Sequence, residues 1–170
     1  MSSSPTPERA PDPDGLTHLD DRGQARMVDV GAKDVTARTA VAEARVVMHP
    51  HVAARLLSGD LPKGDALPVA RIAGIQAAKR TPDLIPLCHG IALTSVEIDI
   101  EVDADTGVAV VTATAHAADR TGVEMEAMTA ATVAGLTLYD LVKAVQRDVV
   151  ITDVRLRRKT GGRSGDVELP

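Results

Sequence analysis

The sequence predicts an α+β domain, and three observations predict it. Stretches of alternating apolar residues and stretches of helical periodicity succeed one another as strand, two helices, two strands, a long helix and a strand. The middle strands are joined by only Asp103-Ala104-Asp105-Thr106-Gly107, a hairpin connection. The alternation leaves one face apolar and one polar, as in an antiparallel sheet covered by helices on one face.

The elements follow in order. Residues 1–15 are rich in Ser, Pro and charge and read as a disordered tail, leaving residues 16–170 as one domain. Residues 38–48 alternate Ala42, Ala44, Val46 and Met48 with Glu43, Arg45 and Val47, a strand. A short helix over 49–57 stops near Gly59. Asp65 caps a second helix running to about Lys79, with Pro68 tolerated in its first turn. Thr81-Pro82-Asp83 breaks that helix and opens an irregular stretch through His89. Residues 91–102 and 108–116 are the hairpin strands. Thr121 opens a long helix to about Arg147, with Thr121 and Glu124 as a capping box. Residues 149–159 form the last strand. Val150, Thr152, Val154 and Leu156 are expected on one face, and Asp153, Arg155, Arg157 and Lys159 on the other. A ferredoxin-like split βαβ arrangement closes this order most economically.

Composition narrows the rest. The 170 residues suit a single domain. Hydrophobic residues make up 44%, yet there is no Phe, no Trp and one Tyr, so the core is Val, Leu, Ile, Ala and Met. Small side chains bury little area each, which points to close helix packing and to oligomerisation as further sources of stability. The net charge of −5 and the dearth of aromatics to stack bases argue against a nucleic-acid partner. An anionic ligand would need a local cluster of cations. Cys88 is the single cysteine, so no internal disulfide forms. With no signal-like segment and no apolar run of the ~20 residues that span a bilayer, a soluble cytoplasmic protein without membrane attachment is expected.

Three segments carry candidate chemistry. On the long helix, Asp140 and Lys143 are i,i+3 neighbours. A surface ion pair worth ~0.3 kcal/mol is the plain explanation. Their very apolar surroundings argue instead for the border of a pocket or interface. At the other end Glu124, Met125 and Glu126 sit where capping and the helix dipole favour acids, which accounts for Glu124 without any ligand. Glu126 and Asp140 are fourteen residues apart, or ~21 Å along a helix. One pocket cannot easily hold both, so a site shared by two subunits is expected. Cys88-His89 invites a metal or a thiolate nucleophile. No second cysteine supports zinc, and a cysteine is most often simply buried. No metal site is therefore expected, and His89 is the better acid–base candidate. Lys63 precedes a helix N-terminus, and Lys159 leads Gly161-Gly162-Arg163-Ser164-Gly165-Asp166, whose glycines admit a phosphate close to the backbone. A frayed basic C-terminus is the plain alternative there.

These residues resemble the molybdenum-cofactor biosynthesis protein C family, the cyclic pyranopterin monophosphate synthases. The resemblance rests on Leu16-Thr17-His18, Met27-Val28-Asp29-Val30, residues 70–81, residues 83–89, residues 121–127, residues 138–146 and residues 159–166. It implies a ferredoxin-like hexamer, a trimer of dimers, with active sites between subunits. It also implies conversion of 3′,8-cyclo-7,8-dihydroguanosine 5′-triphosphate to cyclic pyranopterin monophosphate with release of pyrophosphate. Carried over by motif, Asp140 is the catalytic acid–base group with Lys143 beside it. Lys63 and Lys159 are further functional lysines. Leu87, Cys88, His89, Glu124, Met125 and Glu126 contact substrate, and Arg38 and Lys79 match basic positions nearby. Gly90, Met128 and Arg163 depart from the family pattern without touching a catalytic group. Proton transfer by Asp140, Lys143 and His89 would need burial to draw the Asp140 and Lys143 pKa values toward neutrality. Lys63, Lys159 and Arg38 would neutralise phosphate charge, and Glu124 and Glu126 would accept from ring N–H groups. No cofactor is required, and Mg2+ on the phosphates is compatible with the set. A nucleotide-binding regulatory module without turnover is the rival reading.

Overall fold

The computed structural model describes residues 22–162 and 165–170. The expected tail, Leu16-Thr17-His18, Arg163 and Ser164 lie outside the described residues. The elements are β1 (Thr36–Val47), α1 (Pro50–Ser58), α2 (Ala66–Ala78), α3 (Thr81–Leu84), β2 (Leu93–Asp103), β3 (Val108–Asp119), α4 (Glu124–Val142), β4 (Val150–Thr160) and β5 (Val167–Glu168). The sheet runs β2-β3-β1-β4-β5 with every neighbour antiparallel. The hairpin strand β3 thus inserts between β1 and β2, and β4 closes on the far side of β1. This is the ferredoxin-like α+β arrangement that the sequence predicts.

Helices α2 and α4 cover one face of the sheet. Toward them β1 turns Ala40, Ala42, Ala44 and Val46, and β3 turns Ala109, Val111, Ala113 and Ala115, all fully buried. On α4 the buried residues include Ala127, Ala130, Ala131, Ala134 and Leu138, the i, i+3, i+4, i+7 stripe of an amphipathic helix. An alanine methyl contributes only about 0.8 kcal/mol on burial, so this core depends on close approach. Gly74 of α2 shows how close: a Cβ there would lie 3.0 Å from the Ala130 carbonyl oxygen and 3.1 Å from Ile98.

Local signals fix the first two helices. Gly59, at φ 70°, stops α1 with its N–H on the Arg55 and Leu56 carbonyls. The Asp65 carboxylate accepts from the Leu67 N–H at 3.2 Å and caps α2.

Three expectations are corrected. The stretch after α2 is not wholly irregular: residues 81–84 form one helical turn. Pro82 falls in its first turn, where a missing N–H costs nothing. Helix α4 starts at Glu124 and not at Thr121, with Val123 as N-cap and no side-chain cap. The capping box fails because the Glu124 carboxylate turns outward to Lys159. The same helix ends at Val142, and buried Gln146 beyond it accepts the His49 N–H at 2.7 Å.

The faces of β4 are the third correction. Irregularities opposite Val41/Ala42 and Glu43/Arg45 each absorb one extra residue of β4. Asp153, the one non-glycine with positive φ among the described residues (50°), lies in the second. Ile151, Leu156 and Lys159 pair with Val46, Ala42 and Ala40 on the helix side. Val150, Thr152, Arg155 and Arg158 pair with Val47, Arg45, Glu43 and Val41 on the open side. The first irregularity, between Leu156 and Arg158, puts Lys159 on the face opposite Arg155, the side that α4 covers.

Candidate active site

The N-terminus of α4, the end of β4 and the loop before β1 enclose a cleft of two lobes. They share Lys33, Thr121, Gly122 and Glu124.

The first lobe, about 430 Å³, gathers Lys33, Arg38 and Lys159 above the Gly161-Gly162 backbone. Arg38 is on the helix side of β1, opposite Ala117, and its Nε donates to the Asp119 carbonyl at 3.3 Å. Gly161 and Gly162 have φ of 88° and 78°. A Cβ on Gly162 would collide with the Arg38 guanidinium, and one on Gly161 with the Ala37 carbonyl oxygen. The glycines therefore let the chain fold down onto Arg38 and hold it in the lobe. Lys159 Nζ lies 3.3 Å from Glu124 Oε1, both side chains about a quarter exposed. Three cations above a glycine turn, whose Gly161 N–H donates to Asp166 Oδ1 at 3.1 Å, make this lobe fit for an anion such as a phosphate chain.

The second lobe, about 390 Å³, is lined by Leu87, Cys88, His89, Met125 and Glu126 among others. His89 Nε2 donates to the Val28 carbonyl at 2.7 Å. That bond fixes the proton on Nε2 in the neutral ring and leaves Nδ1 as the acceptor. Burial, then the Glu126 charge, pushes the Cys88 thiol up, away from a nucleophilic thiolate. Glu126 is 2% exposed, and its Oε2 has no hydrogen-bond partner among the described residues. Burial raises its carboxyl above the usual range. A bond from its own N–H offsets this in part, and the Glu124 and Asp119 charges reinforce it.

Lys63, Asp140 and Lys143 form a separate cluster at the other end of α4. Asp140 receives Lys63 Nζ at 2.7 Å on Oδ2 and Lys143 Nζ at 2.6 Å on Oδ1. Lys63 also donates to the Asp140 carbonyl at 3.0 Å. The expectation that burial would draw this pair toward neutrality is reversed. The side chains of Asp140 and Lys143 are half exposed, and direct hydrogen bonds from Lys143 and then Lys63 lower Asp140 to about 2. The bond to Asp140 raises Lys143. In this arrangement Asp140 is a carboxylate and Lys143 an ammonium.

One chain thus brings together Arg38, Lys159, Glu124, Met125, Glu126, Leu87, Cys88 and His89. It leaves Lys63, Asp140 and Lys143 ~21 Å away along α4. Lys79, exposed at the C-cap of α2, lines neither lobe. Sequence reasoning missed Lys33, which lines both. It follows a turn closed by Asp29 Oδ1 on the Gly31 N–H and by the Lys33 N–H on the Val30 carbonyl. The Asp29-Val30-Gly31 turn chemistry is the only local signal for it.

A cationic, glycine-floored lobe beside a lobe holding His, Cys and a buried Glu suits a ligand that joins a phosphate chain to a ring. The profile of the MoaC family matches residues 27–162. The chain is 58% identical over 151 residues to the cyclic pyranopterin monophosphate synthase of Roseiflexus sp. (strain RS-1), covering 89% of this chain and 96% of that one. It is 59% identical over 156 residues to the synthase of the same name from Streptomyces avermitilis, covering 92% and 91%. The corresponding protein of Pelotomaculum thermopropionicum is 52% identical over 154 residues, covering 91% of each chain. The chain belongs to the MoaC family.

Proposed function

We propose that this protein is a cyclic pyranopterin monophosphate synthase of molybdenum-cofactor biosynthesis, a lyase. It converts 3′,8-cyclo-7,8-dihydroguanosine 5′-triphosphate to cyclic pyranopterin monophosphate and releases diphosphate. The observation that carries this reading is the two-lobed cleft, whose halves suit the two halves of that substrate. The triphosphate lies among Arg38, Lys33 and Lys159, and the ring lies against Leu87, Cys88, His89, Met125 and Glu126.

The Lys63–Asp140–Lys143 cluster enters from a second copy of the chain, because ~21 Å separates it from its own cleft. The sites then lie between subunits, and the family resemblance implies a homohexamer, a trimer of dimers, acting in the cytoplasm without a membrane or nucleic-acid partner. No helix among the described residues is long and apolar enough to cross a membrane. The low Asp140 pKa then has a use. Lys63 and Lys143 hold it down by their hydrogen bonds. When the triphosphate draws those ammonium groups away, the Asp140 carboxylate becomes a stronger base beside the ring, and Lys143 or His89 returns the proton. Attack of a sugar hydroxyl on the α-phosphate is then a matter of positioning and charge neutralisation by Lys63, Lys159 and Arg38. No resident cofactor enters this scheme, and a Mg2+ ion carried on the phosphates is compatible with it.

Co-expression of two inactive variants tests the shared site. Lys63→Ala and Lys159→Ala each lose turnover alone. Mixed pairs regain one intact site in half of the dimers, or about a quarter of full activity. Mixtures as inactive as the single variants would place all working groups within one chain.

A further inference from the structure

We propose that Glu126 meets its ligand as a neutral carboxylic acid and reads a lactam edge, a ring C=O beside a ring N–H, with one donor and one acceptor. The inference takes the guanine-derived ring from the synthase reading and adds which edge of it the second lobe recognises.

The argument begins with what surrounds the carboxyl. Glu126 is in the first turn of α4, 2% exposed, lining the second lobe, with Oε2 unpartnered among the described residues. Its own helix presents Glu124, and the end of β3 presents Asp119. Cys88 and His89 face it from the segment before β2, and Lys33 from the loop before β1. No ion pair reaches Glu126 among the described residues, whereas Glu124 is paired with Lys159 at 3.3 Å. The His89 Nε2 proton is committed to the Val28 carbonyl. An ionised Glu126 would therefore sit buried beside two other carboxylates with its own backbone N–H as the one compensating donor and with Oε2 unpartnered among the described residues, and such a group takes up a proton instead. The helix N-terminus favours an anion, but that term is small against unpaired burial.

Protonation changes what the side chain can recognise. A carboxylate offers only acceptors and suits two adjacent N–H groups. A neutral carboxyl offers an O–H and a C=O side by side, the complement of a lactam edge. The two glutamates then divide the work. Glu124, its charge balanced by Lys159, accepts from ring N–H groups, and Glu126 both donates and accepts.

Infrared difference spectroscopy and binding of GTP and ITP test this. At neutral pH the wild-type protein is expected to show the carbonyl band of a protonated carboxyl, lost in Glu126→Gln. A pH-jump spectrum of the wild type gives the same band without any variant. GTP affinity of the wild type is expected to fall as pH rises through the raised pKa. Glu126→Gln, which keeps one donor and one acceptor, removes that fall and weakens binding by less than about tenfold, while Glu126→Ala weakens it by more. The preference between GTP and ITP, which differ only in the 2-amino group, is expected to survive in Glu126→Gln. Absence of the band at neutral pH overturns the proposal. So does a Gln variant as weak as the Ala variant, or one that alters the GTP-to-ITP preference. Wild-type protein that shows the band yet binds neither nucleotide, nor turns over the cyclised substrate, overturns the synthase reading together with the ligand half of this proposal.

Discussion

Gly161→Ala is the perturbation whose size follows most directly from the structure. Gly161 has φ of 88°, and a Cβ there would run into the Ala37 carbonyl oxygen, part of the β1 backbone. The left-handed conformation costs a non-glycine residue about 1–2 kcal/mol. The collision adds about 1–3 kcal/mol, because a backbone oxygen held in a sheet cannot rotate away as a side chain would. Gly64 supplies a matched control. Its φ is 87°, and a Cβ there meets nothing within 4 Å. Gly64→Ala should therefore lose about 1–2 kcal/mol and Gly161→Ala about 2–5 kcal/mol. The difference of about 1–3 kcal/mol corresponds to about 2–12 °C in Tm for a chain of this size. Thermal unfolding followed by circular dichroism measures it. Equal destabilisation of the two variants would refute the claim that the glycine loop is seated against β1.

The remaining predictions concern the two charge clusters and the helix packing. Asp140→Asn should fold and bind substrate yet lose turnover by about a hundredfold or more, and near-normal rates would remove Asp140 from the mechanism. The folded Asp140 pKa is depressed, so its ion pairing acts above the ordinary carboxylate range and is lost as pH falls through about 2. An NMR titration should find that inflection, and in Lys63→Ala should find it moved up toward the ordinary value. Glu126 behaves in the opposite sense. Its folded pKa is raised, so stability present at low pH is lost as pH rises through it. Urea unfolding should accordingly show Glu126→Gln more stable than wild type on the alkaline side by about 1–3 kcal/mol. At Gly74 the gain in helix propensity of about 1 kcal/mol competes with a 3.0 Å approach to the Ala130 carbonyl. Gly74→Ala should lose a net 1–2 kcal/mol or so, read as a lower Tm.

The sequence made the fold legible wherever one local pattern decided the outcome. Val96, Ile98, Ile100 and Val102 alternate without interruption with Glu97, Asp99 and Glu101 and β2 follows that pattern, while Asp65 and Gly59 cap as their chemistry dictates. It misled where a distant partner decided. Thr121 and Glu124 have capping-box spacing, but Glu124 bonds to Lys159, thirty-five residues on, so the helix starts later. In β4 simple alternation fails because β1 imposes two bulges that no residue of β4 announces, Asp153 being an ordinary surface residue by type. The candidate site divides in the same way. Family motifs located both charge clusters, and helix length alone placed them at opposite ends of α4. The Asp140 and Lys143 pKa directions ran against the expected burial, since both side chains are half exposed and bond directly to each other, with Lys63, seventy-seven residues away, lowering Asp140 further. Lys33 escaped because a lysine in an irregular loop has no periodic signature, and only the chain's return past Val28 and Val30 brings it to the cleft.

Turnover by the purified protein tests the central claim most directly. The protein is incubated with 3′,8-cyclo-7,8-dihydroguanosine 5′-triphosphate, while pyrophosphate release and pterin fluorescence after oxidation are followed together. Both signals rising in step over many turnovers, and both vanishing in Asp140→Asn, is the result this account predicts. Tight binding of the cyclised nucleotide with neither signal would contradict it and mark the protein as a binding module without synthase activity.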